Sequence, residues 1–218
     1  MNISENTVAA ENQMINSSEL SFLGNEQASF RVLVLGNSIT RHGPNAEISW
    51  DDDWGMAASA PEKDYVHRLY QKFTDSGQDV WMRIRQSAYW ERHFLDDDCL
   101  PLFAEDRDFN ADLIIFRLGD NVPAENAPYF QEAIKQFMVY LNAQPGKVIF
   151  TSCFWDRPEL NNPICNVAKE YQSPYTEIIG TDEMKAYGMF EHSGVCAHPS
   201  DFGMEIIAER IFACYANK

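Results

Sequence analysis

The chain predicts an α/β domain whose parallel sheet is covered by helices on both faces. Three observations carry that expectation. Residues 32–35 and 113–116 are unbroken apolar runs, which suit strands buried on both faces. Longer segments between them repeat apolar residues every three or four positions, the spacing of an amphipathic helix. The two kinds of segment alternate along the chain, the order of β-α-β winding.

Composition narrows the class. The chain has 218 residues, enough for one α/β domain with a sizeable core. The formal net charge of -16 sets it against nucleic acid and anionic membrane surfaces, and neither is expected as a partner. Five cysteines, at irregular spacing and with no Cys-x-x-Cys, argue for free thiols rather than a disulfide framework or zinc site. No run of about 18 apolar residues suggests a transmembrane helix. The first residues lack a basic region followed by an apolar one. The sequence as it stands therefore reads as cytoplasmic, or as secreted or periplasmic if a leader has been trimmed.

In chain order, residues 1–28 are rich in Asn, Ser and Glu and read as a loosely ordered extension, with 20–23 as a short added strand. The domain proper is expected over 29–218. Phe30 opens the first buried strand and Gly36 breaks it. An insert rich in Trp and Asp runs to about Ala60, too long for a simple turn. Pro61 suits a first helical residue; Val66, Leu69, Tyr70 and Phe73 stripe that helix, and Gly77 ends it. Val80, Met82 and Ile84 alternate as a second strand, and 87–94 reads as a turn and short helix. The third strand, 113–116, is followed by a helix faced by Phe130, Ile134, Phe137 and Leu141. A fourth strand spans 148–151, a helix 166–172 and a fifth strand 176–179. Met204, Ile207, Ala208, Ile211 and Tyr215 stripe a C-terminal helix. The whole is a flavodoxin-like three-layer α/β/α sandwich with a five-stranded parallel sheet, order 2-1-3-4-5.

Three short segments fall at the carboxyl edge of that sheet or at the start of the last helix, where such folds place their chemistry. They are Gly36-Asn37-Ser38, Gly119-Asp120-Asn121 and His198-Pro199-Ser200-Asp201. In these blocks the chain resembles the SGNH, or GDSL-type, serine hydrolases, over roughly residues 31–215. The α/β-hydrolase elbow fits less well, because Thr40 stands where its second glycine belongs. There is no His-Glu-x-x-His for zinc.

The resemblance implies roles. Ser38 is the expected nucleophile and His198 its base. The backbone N–H of Ser38, the carboxamide of Asn121 and the N–H of Ala88, or alternatively Ser87, are the expected oxyanion donors. Two departures stand out: Asn37 replaces the family's Asp beside the serine, and Val195 replaces the Asp three residues before the histidine. The expectation is a Ser–His dyad supported by a backbone carbonyl in 195–197, with Asp156 and Glu191 as reserve candidates for a displaced acid. Arg41, Trp54, Trp90 and Trp155 are candidate substrate-binding residues, and Glu62 and Glu91 candidate cleft residues. For all of these, ordinary packing or surface ion pairing is the alternative.

The expected function is hydrolysis of a small-molecule carboxylic ester, such as an acetyl group on a glycan, with no cofactor and no metal. A catalytically degenerate ligand-binding protein and an acyltransferase using the same pair are the alternatives.

Overall fold

The computed structural model describes residues 20–217. Most of the expected extension, residues 1–19, lies outside the described residues, as does the last residue. The strands are β1 (Leu20–Gly24), β2 (Phe30–Gly36), β3 (Val80–Gln86), β4 (Leu113–Arg117), β5 (Val148–Thr151) and β6 (Tyr175–Thr176). They form one sheet in the order β1-β3-β2-β4-β5-β6. Counted from β2, the five parallel strands take the expected 2-1-3-4-5 order. The sixth strand is β1, the short added strand, which runs antiparallel along β3 with Leu20 opposite Arg85 and Gly24 opposite Trp81.

Period-two alternation divides the apolar strand residues between two cores. Val32, Val34, Met82, Ile84, Ile115 and Ile149 face α1 (Tyr65–Asp75) and α7 (Asp201–Ala216). Leu33, Leu35, Ile114, Phe116 and Phe150 face the other side, against α4 (Phe130–Tyr140) and α5 (Pro158–Glu170). Burying each such large apolar side chain stabilises the fold by ~1.5–3 kcal/mol, so both faces need helices.

Trp90 belongs to the second core. It lies on α2 (Ala88–His93), is 1% exposed and stacks on Phe137 at 4.7 Å between ring centroids. It is a packing residue and not, as expected, a substrate contact: the face of α2 that carries it is the face the sheet covers.

Other boundaries moved for local reasons. Pro61–Lys63 makes only a single tight turn, and α1 begins at Tyr65 because Asp64 caps it, accepting the His67 N–H at 2.8 Å. Helix α5 starts at Pro158, well before residue 166, since proline at a first helical position loses no hydrogen bond. A short helix not expected from the pattern, α3 (Ala104–Asp108), brings buried Asp106 within 2.8 Å of Arg83 and 3.4 Å of Arg85. That pairing lets β3 carry two buried arginines.

The insert after β2 folds onto the domain around Trp50, Met56 and Ala57, which pack with Ala186 and Val195. The Met56 N–H donates to the Ser38 carbonyl at 2.9 Å, fixing the insert to the turn after β2. Among the described residues no helix is long and apolar enough to cross a membrane.

Candidate active site

The site forms where β2, β3, β4 and β5 end. After Gly36 the chain turns sharply: the Thr40 and Arg41 N–H groups donate to the Asn37 carbonyl at 2.8 and 3.1 Å. A Cβ on Gly36 would lie 1.7 Å from Thr40 Oγ1, so only glycine lets this turn close. Ser38 sits at its tip, half-buried.

His198 reaches this serine from the loop just before α7. Its Nε2 is 2.8 Å from Ser38 Oγ, and its Nδ1 is 2.7 Å from the Gly194 carbonyl oxygen. A carbonyl only accepts, so Nδ1 carries the proton and Nε2 is left to accept from the serine hydroxyl. Backbone bonds hold the loop: the His198 N–H donates to Val195 O and the Ala186 N–H to His198 O, each at 2.9 Å. Trp155 packs edge-on to the imidazole at 5.0 Å.

The supporting carbonyl is thus Gly194's, one residue before the expected 195–197. Val195 is 1% exposed within the apolar cluster of the insert, where an aspartate would be buried without a partner. Asp156 and Glu191 are exposed and neither hydrogen-bonds the ring; as displaced acids they are set aside. Asp156→Asn and Glu191→Gln are each expected to leave kcat within about twofold of the parent, as exposed substitutions do. Ester hydrolysis assays on the two variants check this, and a large loss in either would reinstate an acid.

Desolvation pulls the His198 pKa down to about 4, ahead of the opposing Gly194 bond and the further lowering by His42 and Arg117. Part of the residue still reaches solvent, which tempers that depression.

Of the expected oxyanion donors, both backbone N–H groups after β3 are engaged. The Ala88 N–H donates to Gln86 Oε1 at 2.9 Å and the Ser87 N–H to Gly36 O at 2.6 Å. Ala88 therefore is not a free donor here; its amide faces a side chain carried on the end of β3. Asn121 Nδ2 donates to Glu91 Oε2 at 2.5 Å, and Asn121 Oδ1 accepts from Arg92 at 3.2 Å.

Beneath the turn lies a buried polar cluster. Asn37 Nδ2 donates to Glu91 at 3.2 and 3.3 Å and to Asp120 at 3.1 Å. Arg117 donates to Asn37 Oδ1 and to Asp120 Oδ2. Asp120 Oδ1 accepts the Phe154 N–H at 2.8 Å, tying the loop after β4 to that after β5. With two carboxylates already present, an aspartate at 37 would add a third; the asparagine donates to both instead. Burial, and then Asp120, raise the Glu91 carboxyl above its ordinary value, while the Asn121 and Gly119 hydrogen bonds oppose this. Among the described residues no group of His, Cys, Asp or Glu is placed to hold a metal ion.

No protein-family model matches the sequence, and no curated relative matches it. Solved structures do. A lipase/acylhydrolase from Enterococcus faecalis superposes with a TM-score of 0.57 at 15% identity, over 86% of this chain and 96% of that one. A protein described as a GDSL-like lipase from Parabacteroides merdae gives 0.54 at 14%, over 89% and 99%. A two-domain esterase active on acetylated mannans gives 0.51 at 15%, over 86% of this chain and 48% of that one. The chain has the SGNH, or GDSL-type, hydrolase fold. Within that fold, Ser38 and His198 touch, and Trp155 adjoins them. The other candidates lie differently. Arg41 pairs with Asp53 at 2.8 Å, and Trp54 gives its indole N–H to Ala58 O within the insert. Glu62 is exposed. Glu91, by contrast, is fully buried, as its place between Trp90 and Phe94 on a covered helix face permits.

Proposed function

We propose that the protein hydrolyses a carboxylic ester through an acyl-enzyme on Ser38, with His198 as general base and then general acid. The single observation that carries this is the chain of contacts Ser38 Oγ, His198 Nε2, His198 Nδ1, Gly194 O, at 2.8 and 2.7 Å. Nε2 takes the hydroxyl proton as Oγ attacks the carbonyl and returns it to the leaving alcohol. The Gly194 oxygen fixes the tautomer and offers the imidazolium an uncharged acceptor. The Ser38 N–H and the Asn121 carboxamide stabilise the oxyanion. A glycan acetyl ester is the preferred substrate, supported by Trp155 beside the imidazole and by the likeness in fold to an esterase active on acetylated mannans.

The experiment is a screen of aryl esters of short and long acyl chain and of acetylated sugars, run with fluorophosphonate labelling. Turnover and labelling are expected, with acetyl esters preferred. The engaged Ala88 N–H favours a second reading, a protein that binds its ligand without turning it over. Unlabelled Ser38 and no turnover of any ester would select that reading.

A basic dyad must hold His198 neutral. Its lowered pKa keeps Nε2 unprotonated through the whole range from 6.5 down towards about 4. Unfolded chains protonate their histidines first in that window, so stability is full above 6.5 and falls as pH drops towards the folded value. An NMR titration of His198 is expected to give a midpoint well below 6.5; a midpoint at or above it would contradict the buried, carbonyl-supported arrangement.

A further inference from the structure

Helix α2 sets one carboxylate between the loops that carry Ser38 and Asn121. Glu91 is fully buried, and each hydrogen bond its carboxylate makes is one it accepts. Oε1 takes the Gly119 N–H at 2.6 Å and the Asn121 N–H at 3.3 Å. Oε2 takes Asn121 Nδ2 at 2.5 Å, and Asn37 Nδ2 lies within 3.3 Å of both oxygens. Its neighbour Arg92 donates to the other end of the same carboxamide, Asn121 Oδ1, at 3.2 Å.

We propose that Glu91 is a positioning residue for ester hydrolysis at Ser38, clamping the Asn121 carboxamide with Arg92 so that its second N–H is presented to the oxyanion. This rests on the dyad reading given above. A free carboxamide can turn over and offer its oxygen where a donor is required. The clamp forbids that: an N–H end faces a carboxylate and the oxygen end faces a guanidinium. The same carboxylate holds Asn37, next to Ser38, so donor and nucleophile share one anchor.

Glu91→Gln is the sharpest test because shape is kept. Only one oxygen remains, and the new amide N–H meets either Asn121 Nδ2 or a backbone N–H, donor against donor. The carboxamide then turns over, and kcat is expected to fall about 10²-fold, the cost of one oxyanion donor, with KM within about threefold. In an Asn121→Ala background the same change is expected to cost less than about threefold, since the two act as a unit. The side-chain amide resonances of Asn121, assigned by their loss in Asn121→Ala, are expected to move in Glu91→Gln. That readout needs no turnover, so a wild type inactive on every ester would count against the dyad alone.

Wild-type kcat in Glu91→Gln, an equal loss in both backgrounds, or unmoved Asn121 resonances would each overturn the clamp. Should Glu91→Gln fail to fold, Arg92→Ala removes the other jaw at a half-buried position. It is expected to lower kcat about tenfold, and only when Asn121 is present; an unchanged kcat would overturn the proposal equally.

Discussion

Ser38→Ala is expected to lower kcat on an activated acetyl ester by about 10³–10⁵-fold, with the fold intact. The hydroxyl is the only group at the tip of the turn after β2 that can form an acyl-enzyme, and it is the partner of His198 Nε2 at 2.8 Å. Removing it leaves the proposed oxyanion donors in place, so a residual rate above that of water is expected, as in serine hydrolases stripped of their nucleophile. The loss is set below that of full triads because a peptide carbonyl, Gly194 O, stabilises the imidazolium less than a carboxylate does. His198→Ala should give a loss of similar size, and the double variant little more, since the pair acts as one device. Initial rates of the three variants, with circular dichroism to check folding, decide the matter. Retention of the parent rate by Ser38→Ala would remove the mechanism.

Arg117→Met is expected to destabilise the fold by about 3–5 kcal/mol, the cost of leaving a buried charge unpaired. Arg117 and Asp120 have side chains that are 0% and 1% exposed, and the guanidinium also holds Asn37 Oδ1. Without it, Asp120 and Glu91 face each other across Asn37 with only Arg92 left beside Glu91. The added variant Arg117→Met/Asp120→Asn should recover part of the loss, because it removes the stranded charge together with its partner. Urea unfolding of the single and double variants measures both. A single-variant loss under about 1 kcal/mol would mean that water or a shifted proton compensates inside the cluster.

Much of this was legible before folding. Alternation of strand and helix follows from hydrophobic spacing, a local property, and the flanking glycine and proline residues add the ends. The turn at Gly36, with Ser38 beyond it, was readable because a buried apolar run must stop where the sheet meets solvent. The histidine was readable by its place before the last apolar stripe. The helices that began early, at Pro158, or unexpectedly, at Ala104, were not, since short polar segments gain their helicity from what they pack on.

The candidate site divides in the same way. Residue types at sheet ends are fixed by the sequence, so Ser38, Asn121 and His198 could be named together. What orients them was legible only in kind: with Val195 in place of an acid, a backbone carbonyl was expected, but not that of Gly194. The support for His198 is a backbone carbonyl, a group every residue carries, and so Gly194 leaves no mark in the sequence. Trp90 and Trp155 are the same residue type in segments after strands, yet one fills the core and the other lies against the imidazole, because helix rotation and loop course decide which way a ring points. Glu91 gives the plainest case. A glutamate read along the chain is most often solvated, and only the meeting of two loops around α2 surrounds this one with donors and closes off the water.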